Sequence, residues 1–307
     1  MDAVISTALP VFGIIAAGLI AGRFGFMNLG DSQALNKFVF RFAMPAALFG
    51  LTANATPPGA ADVAIALSYG VAAFVILIGG YLLTQRMFSL TKPEAGAHAF
   101  SSTLGNAVFL GLPIALSIEG WARPFIVLML VEGIAVIAIG AALMAPRKEG
   151  GKNLLGYFSG PARNPLVLGM VAGFLYSALG LPLTGPFETF FSLLGRAAGP
   201  TALFSMGLFL ATHQFPPIAQ AAGRVSSIAI LKLIVLPIIA LGVAYLLQVN
   251  DPAYLGALAL FVFVPSGVGC FIMASQYGIY QTETAAAISV TTILSVLTIS
   301  GVLIVFA

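Results

Sequence analysis

Of the 307 residues, 60% are hydrophobic and only 7% charged, which excludes a soluble globular protein, where charged residues make up roughly a quarter. The formal charge of +3 is scattered over short loops and forms no basic patch, so the chain is not a nucleic-acid binder. What remains is an all-α polytopic membrane protein with no room for a soluble domain.

The apolar runs predict ten spans, each long enough for a bilayer core of about 20 helical residues. They fall at 3–22, 33–52, 62–84, 95–118, 123–145, 164–181, 192–212, 224–247, 253–275 and 284–306. The chain opens Met1-Asp2 and enters apolar sequence without a positive n-region or a small-residue cleavage site, so this stretch reads as the first span. Breakers and charges mark the interruptions, among them Gly30-Asp31, Thr91-Lys92-Pro93-Glu94, Pro216-Pro217 and Asn250-Asp251-Pro252. The longest polar connection, Pro146 to Arg163, holds Arg147, Lys148 and Lys152. Loops expected on the same side carry Arg23, Arg86, Lys92 and Arg224, whereas the other side has Arg123, Asp62, Glu188 and Asp251, with Arg196 at a span edge. The bias makes the central loop cytoplasmic and puts both termini outside, in a cell (inner) membrane. The single cysteine, Cys270, forms no internal disulfide and reads as a small packed residue.

Two spans are interrupted. Leu104-Gly105-Asn106 through Gly111-Leu112-Pro113 puts glycines, an asparagine and a proline inside span four, and Val264-Pro265-Ser266-Gly267-Val268-Gly269 does the same in span nine. Pro113 is expected to kink or break its helix. Backbone freed in lipid is tolerated only inside protein or along a wet cavity. Prolines kink many membrane helices without binding anything, but a pair in corresponding places points to a transport site. The halves also repeat. Pro10 to Gly18 is similar to Pro165 to Gly173, and Pro45-Ala46-Ala47-Leu48-Phe49 to Pro200-Thr201-Ala202-Leu203-Phe204, both at an offset of 155; Pro113 and Pro265 stand 152 apart. Five spans per repeat is odd, so the second repeat is inverted. The expected domains are 1–146, a linker at 147–163, and 164–307, a 5+5 inverted repeat whose broken helices four and nine cross near the midplane.

On these residues the chain resembles the auxin efflux carrier family of bacterial and plant transporters, which includes PIN-FORMED and malonate-type carriers. The resemblance covers the whole chain. It rests on Leu35-Asn36-Lys37-Phe38-Val39 with Pro45, Gly105-Asn106 with Gly111-Leu112-Pro113, Gly199-Pro200 with Ser205-Met206-Gly207, and Pro265-Ser266-Gly267 with Ala274-Ser275-Gln276-Tyr277-Gly278. It implies two crossover helices in a transport domain (helices 3–5 and 8–10), a scaffold (helices 1, 2, 6 and 7), elevator motion and organic anion substrates. A homodimer would form through the scaffold helices. Family members often carry asparagine or glutamine beside the second crossover proline, where this chain has Ser266.

The candidate substrate contacts are Asn106, Phe109, Gly105, Ser266 and Gly267. Asn106 can bond a ligand or the backbone freed by the break; Ser266 can do either. Gly111, Pro113, Pro265 and Gly269 form the crossover or hinge set, where the glycines allow close approach. Glu132, deep in span five, is a coupling group or a buried charge. Lys232, Lys37 and Arg41 are expected to snorkel and His98 to lie at the interface. No Asp or Glu is adjacent to Asn106 or Ser266, and helix ends at a break attract carboxylates, so the cargo expected is a small organic anion. No catalytic constellation, metal cluster or cofactor motif is present in the sequence. A sodium- or proton-coupled carrier of a related crossover fold is the alternative, and an intramembrane enzyme the poorer one.

Overall fold

A computed structural model describes residues 2–54, 59–116, 118–145, 165–212 and 218–306; the linker at 147–163 lies outside them, as do the side chains of Phe109 and Pro113. The described residues are helical, with no strand beyond one isolated bridge between Gly105 and Ser266. In chain order the helices are α1 Asp2–Arg23, α2 Leu29–Ala53, α3 Ala60–Phe88, α4 Lys92–Ser101, α5 (107–116), α6 Ala122–Met144, α7 Pro165–Ala178, α8 Gly185–Arg196, α9 Ala198–Thr212, α10 (218–246), α11 Pro252–Phe263, α12 Val268–Tyr277 and α13 Gln281–Phe306. Five of them are long and apolar enough to cross a membrane: α2, α3, α6, α13 and the part of α10 from Ala221 to Leu246. Their outward residues are apolar, as with Phe74, Ile238 and Leu297, which suits lipid better than water.

Residues 95–118 and 253–275, expected as single interrupted spans, each form two helices with an extended link. The first break falls at 102–106, ahead of Pro113. Pro113 instead follows a π turn, Ala107–Gly111, as the second residue of the helix Leu112–Leu116. Pro45 and Pro237 sit in the same way after the π turns Val39–Ala43 and Leu231–Val235. At Pro45 and Pro237 the wide turn removes the i−4 bond that proline cannot make and eases the ring past the preceding carbonyl, so the helix continues.

Close backbone approach fixes the helices around the breaks. A methyl group on Gly18 of α1 would overlap the carbonyl of Phe204 in α9, and one on Gly173 of α7 would lie 2.5 Å from the carbonyl of Phe49 in α2. Gly173 lies 155 positions beyond Gly18, and Phe204 lies 155 beyond Phe49. Polar groups collect at the two ends of the bundle. At one, Arg224 Nη1 pairs with Glu283 Oε1 at 2.9 Å near His98, Phe88 and Tyr280. At the other, Asp62 takes hydrogen bonds from Arg123 Nη2 at 2.8 Å and from Tyr254 Oη at 3.0 Å.

Candidate functional site at the crossing of two broken helices

Helix α4 ends at Ser101, and the chain runs through Leu104, Gly105 and Asn106 before α5 begins. Helix α11 ends at Phe263, with Val264 and Gly267 extended before α12. The two links cross antiparallel. Asn106 N–H donates to the Pro265 carbonyl at 2.8 Å, and Gly267 N–H donates to the Leu104 carbonyl at 2.9 Å. Each link thus satisfies the backbone the other exposes, as an apolar medium demands. The approach needs glycine: a methyl group on Gly267 would lie 2.5 Å from the Gly105 carbonyl oxygen, and one on Gly105 would lie 2.7 Å from Val264.

Neighbouring helices take up the remaining donors. Ser266 Oγ donates to the Ser101 carbonyl at 2.7 Å, and Ser266 N–H donates to Thr291 Oγ1 at 3.1 Å. Gly105 N–H donates to Glu132 Oε1 at 2.7 Å, and Tyr69 Oη donates to the same oxygen at 2.8 Å. Lys232 is 0% exposed, and its Nζ reaches toward the Val262 carbonyl at 3.5 Å. Glu132 Oε1 and Lys232 Nζ both border Gly105, so acid and amine stand together behind the crossing.

Two expectations are corrected here. An acid does stand at the crossing, because α6 brings Glu132 there although 27 positions separate it from Gly105. Lys232 does not snorkel: it lies mid-helix in α10, turned inward to backbone carbonyl and carboxylate. His98, near the Arg224–Glu283 pair at one end of the bundle, is 0% exposed, with the rings of Phe88 and Tyr280 beside it.

A small cavity of about 50 Å³ lies beside the links, and Glu132 of α6 is part of its lining. Asn106, Gly105, Gly267, Val268 and Gly269 line it on the crossing side, with Met44, Leu48 and Leu51 of α2 and Met129 and Ile137 of α6 as its apolar walls. Water occupies roughly 30 Å³ in the liquid, so the space suits one or two water molecules. Asn106 is 3% exposed, and its Oδ1 has no hydrogen-bond partner among the described residues. Buried amide groups are nearly always bonded, which sets this one apart from the other polar groups of the crossing. A half-turn of the amide exchanges acceptor for donor. The first N–H groups of α12, at Val268 and Gly269, have no intrahelical partner by construction and lie along the same wall.

The structure therefore gathers Gly105, Asn106, Ser266, Gly267 and Gly269 at one place, with Pro265 in the crossing itself. Gly111 stands further along α5, packed against Phe125 and Val264. Phe109 lies on α5, and its side chain is among those outside the described residues. Sequence reasoning passed over Tyr69, Ser101 and Thr291, whose only signal was a hydroxyl inside an apolar run. Two family motifs meet away from the site: Ser205 Oγ donates to Asn36 Oδ1 at 2.7 Å, which fastens α9 to α2. Among the described residues no cluster of side chains could hold a metal ion.

Comparison with known proteins gives the same direction. Residues 3–154 and 159–303 match the family model described as membrane transport protein. The chain is 29% identical over 321 residues to a Rhizobium meliloti protein named "Putative malonate transporter", covering 99% of this chain and 96% of that one. It is 26% identical over 298 residues to "Uncharacterized transporter YfdV" of Escherichia coli K12, covering 93% and 92%. An "Uncharacterized transporter" of Methanothermobacter thermautotrophicus is 23% identical, with 95% of each chain covered. The family and these relatives are transporters rather than enzymes. With its model matched over nearly the full length, the chain belongs to the membrane transport protein family.

Proposed function

We propose that the chain carries small organic anions, mono- or dicarboxylates, across the cell membrane, binding them at the crossing of its two broken helices. The observation that carries this reading is the buried Asn106 amide, whose Oδ1 is unpartnered beside the first turn of α12. With its NH₂ turned inward, the amide donates to a carboxylate, and the α12 N-terminus adds roughly half a positive charge. Lys232 stands close enough to offset the charge of Glu132 behind Gly105. The name of the Rhizobium relative agrees in substrate class.

The cavity wall formed by α2 is apolar, while the crossing and Glu132 of α6 carry the polar groups. That division suits an elevator, in which the crossing and its cargo move past a scaffold that offers the cargo no hydrogen bonds. In this reading helices 3–5 and 8–10 of a ten-span inverted repeat form the moving body. Helices 1, 2, 6 and 7 form the scaffold and the face for a homodimer. The offset of 155 shared by the Gly18–Phe204 and Gly173–Phe49 contacts supports the inverted symmetry. Ion coupling is favoured by one observation, the buried Glu132 beside the site; dependence of uptake on a sodium or pH gradient tests it.

Uptake of radiolabelled malonate into proteoliposomes tests the function. Saturable uptake, inhibited by other small carboxylates and indifferent to neutral solutes, is expected. Uptake of cations with no response to any carboxylate ends the anion reading. Orientation is tested by labelling cysteines introduced at Gly150 and at Asn250 in a Cys270→Ala background. With both termini outside, Gly150→Cys labels only from the cytoplasm and Asn250→Cys only from the exterior.

A further inference from the structure

We infer that a second cavity, about 390 Å³ in volume and distinct from the crossing, is a staging site where a carboxylate is held by Lys37 before it reaches Asn106. The inference rests on the carboxylate reading above. The cavity opens at the end of the bundle that holds the Arg224–Glu283 pair, where α13 begins. Its walls are the start of α2, Phe209 of α9, the end of α12 and the first residue of α13.

The lining is polar in a chain that is mostly apolar. Helix α2 contributes Ser32, Gln33 and Lys37 from one face, and Ser275, Gln276 and Gln281 stand across from them. Among the described residues Lys37 is the one cation in this lining, and no acid accompanies it. Ser275 Oγ is buried and has no hydrogen-bond partner. The helices α2 and α13 both start here, each with an acid in its first turn, Asp31 and Glu283, so Lys37 is the positive charge that faces this cavity. One ammonium, several amides and an unpaired hydroxyl suit a carboxylate with further oxygens. The cavity is far roomier than the one at the crossing.

The two cavities are joined along α2. Met44 lies seven residues beyond Lys37, about 10 Å along the helix axis. Its methyl group would touch a Cβ placed on Gly269, which puts Met44 between the polar vestibule and the crossing. Met44 is a flexible thioether side chain, suited to giving way to a carboxylate that moves from Lys37 to the crossing.

The test uses the full-length protein in inside-out vesicles, with malonate as the probe. Gln33→Cys in the Cys270→Ala background is modified by a membrane-impermeant thiol reagent. Malonate is expected to slow the modification, and to do so still when Asn106→Ala disables the crossing. Protection should disappear with Lys37→Gln and return with Lys37→Arg. In uptake assays, Lys37→Gln should raise the half-saturating malonate concentration about two- to fivefold more from this face than from the other, the range of a solvent-exposed ion pair. Protection that survives Lys37→Gln, protection lost with Asn106→Ala, or protection by inorganic phosphate but not malonate overturns the staging site. Normal malonate transport without Lys37-dependent protection defeats this inference alone. Malonate that is neither transported nor protective defeats the carboxylate reading with it.

Discussion

On the α11–α12 side of the crossing, Ser266 commits its hydroxyl to the Ser101 carbonyl and its N–H to Thr291. On the α4–α5 side, Asn106 uses its N–H for Pro265 but leaves its side-chain oxygen buried and without a partner. The two links have matching backbones, each bonding the other, yet different side-chain chemistry. Paired backbone hydrogen bonds fix where two residues meet; they do not make them share a task. One link braces the crossing, and the other faces the cavity.

Three substitutions test the brace, beginning with the largest effect. Glu132→Ala would leave the Gly105 N–H, the Tyr69 hydroxyl and the Lys232 amine buried without their acid. The loss expected is about 3–5 kcal/mol, as when one partner of a buried charge pair is removed. Denaturant unfolding in detergent measures it, and a change near zero would mean that Glu132 is not the anchor of the first link. Gly267→Ala must push Gly105 away to make room and should cost about 1–3 kcal/mol, with the same assay as readout. Ser266→Ala removes one hydrogen bond to the Ser101 carbonyl and should cost about 1 kcal/mol of stability. It should keep its affinity for malonate. A sharp loss of affinity with stability intact would make Ser266 a ligand contact and erase the difference between the two links.

How much of this was legible in the sequence follows from the physics of each signal. Glycine, proline and asparagine inside apolar runs break helices by local rules, so the residues of the crossing could be read directly. The position of the first break could not. Pro113 follows a π turn as the second residue of a helix, and the chain opens earlier, at 102–106, where Gly105 has to approach Val264 and Gly267. Glu132 and Lys232 were visible as buried charges in apolar spans, but their meeting behind Gly105 depends on how α6 and α10 pack, which no local pattern encodes. The polar face of α2 was written in Ser32, Gln33, Asn36 and Lys37 at helical spacing. Its opposite wall, from Ser275 to Gln281, comes from the other half of the chain.

The central claim is that the Asn106 amide, and not Ser266, meets the carried carboxylate. Calorimetric titration of malonate into purified wild type, Asn106→Ala and Ser266→Ala tests it most directly. The account predicts that Asn106→Ala weakens binding by about 1–3 kcal/mol, the cost of losing a hydrogen bond in a desolvated site, while Ser266→Ala binds as wild type does. Wild-type affinity in a folded Asn106→Ala protein would contradict it.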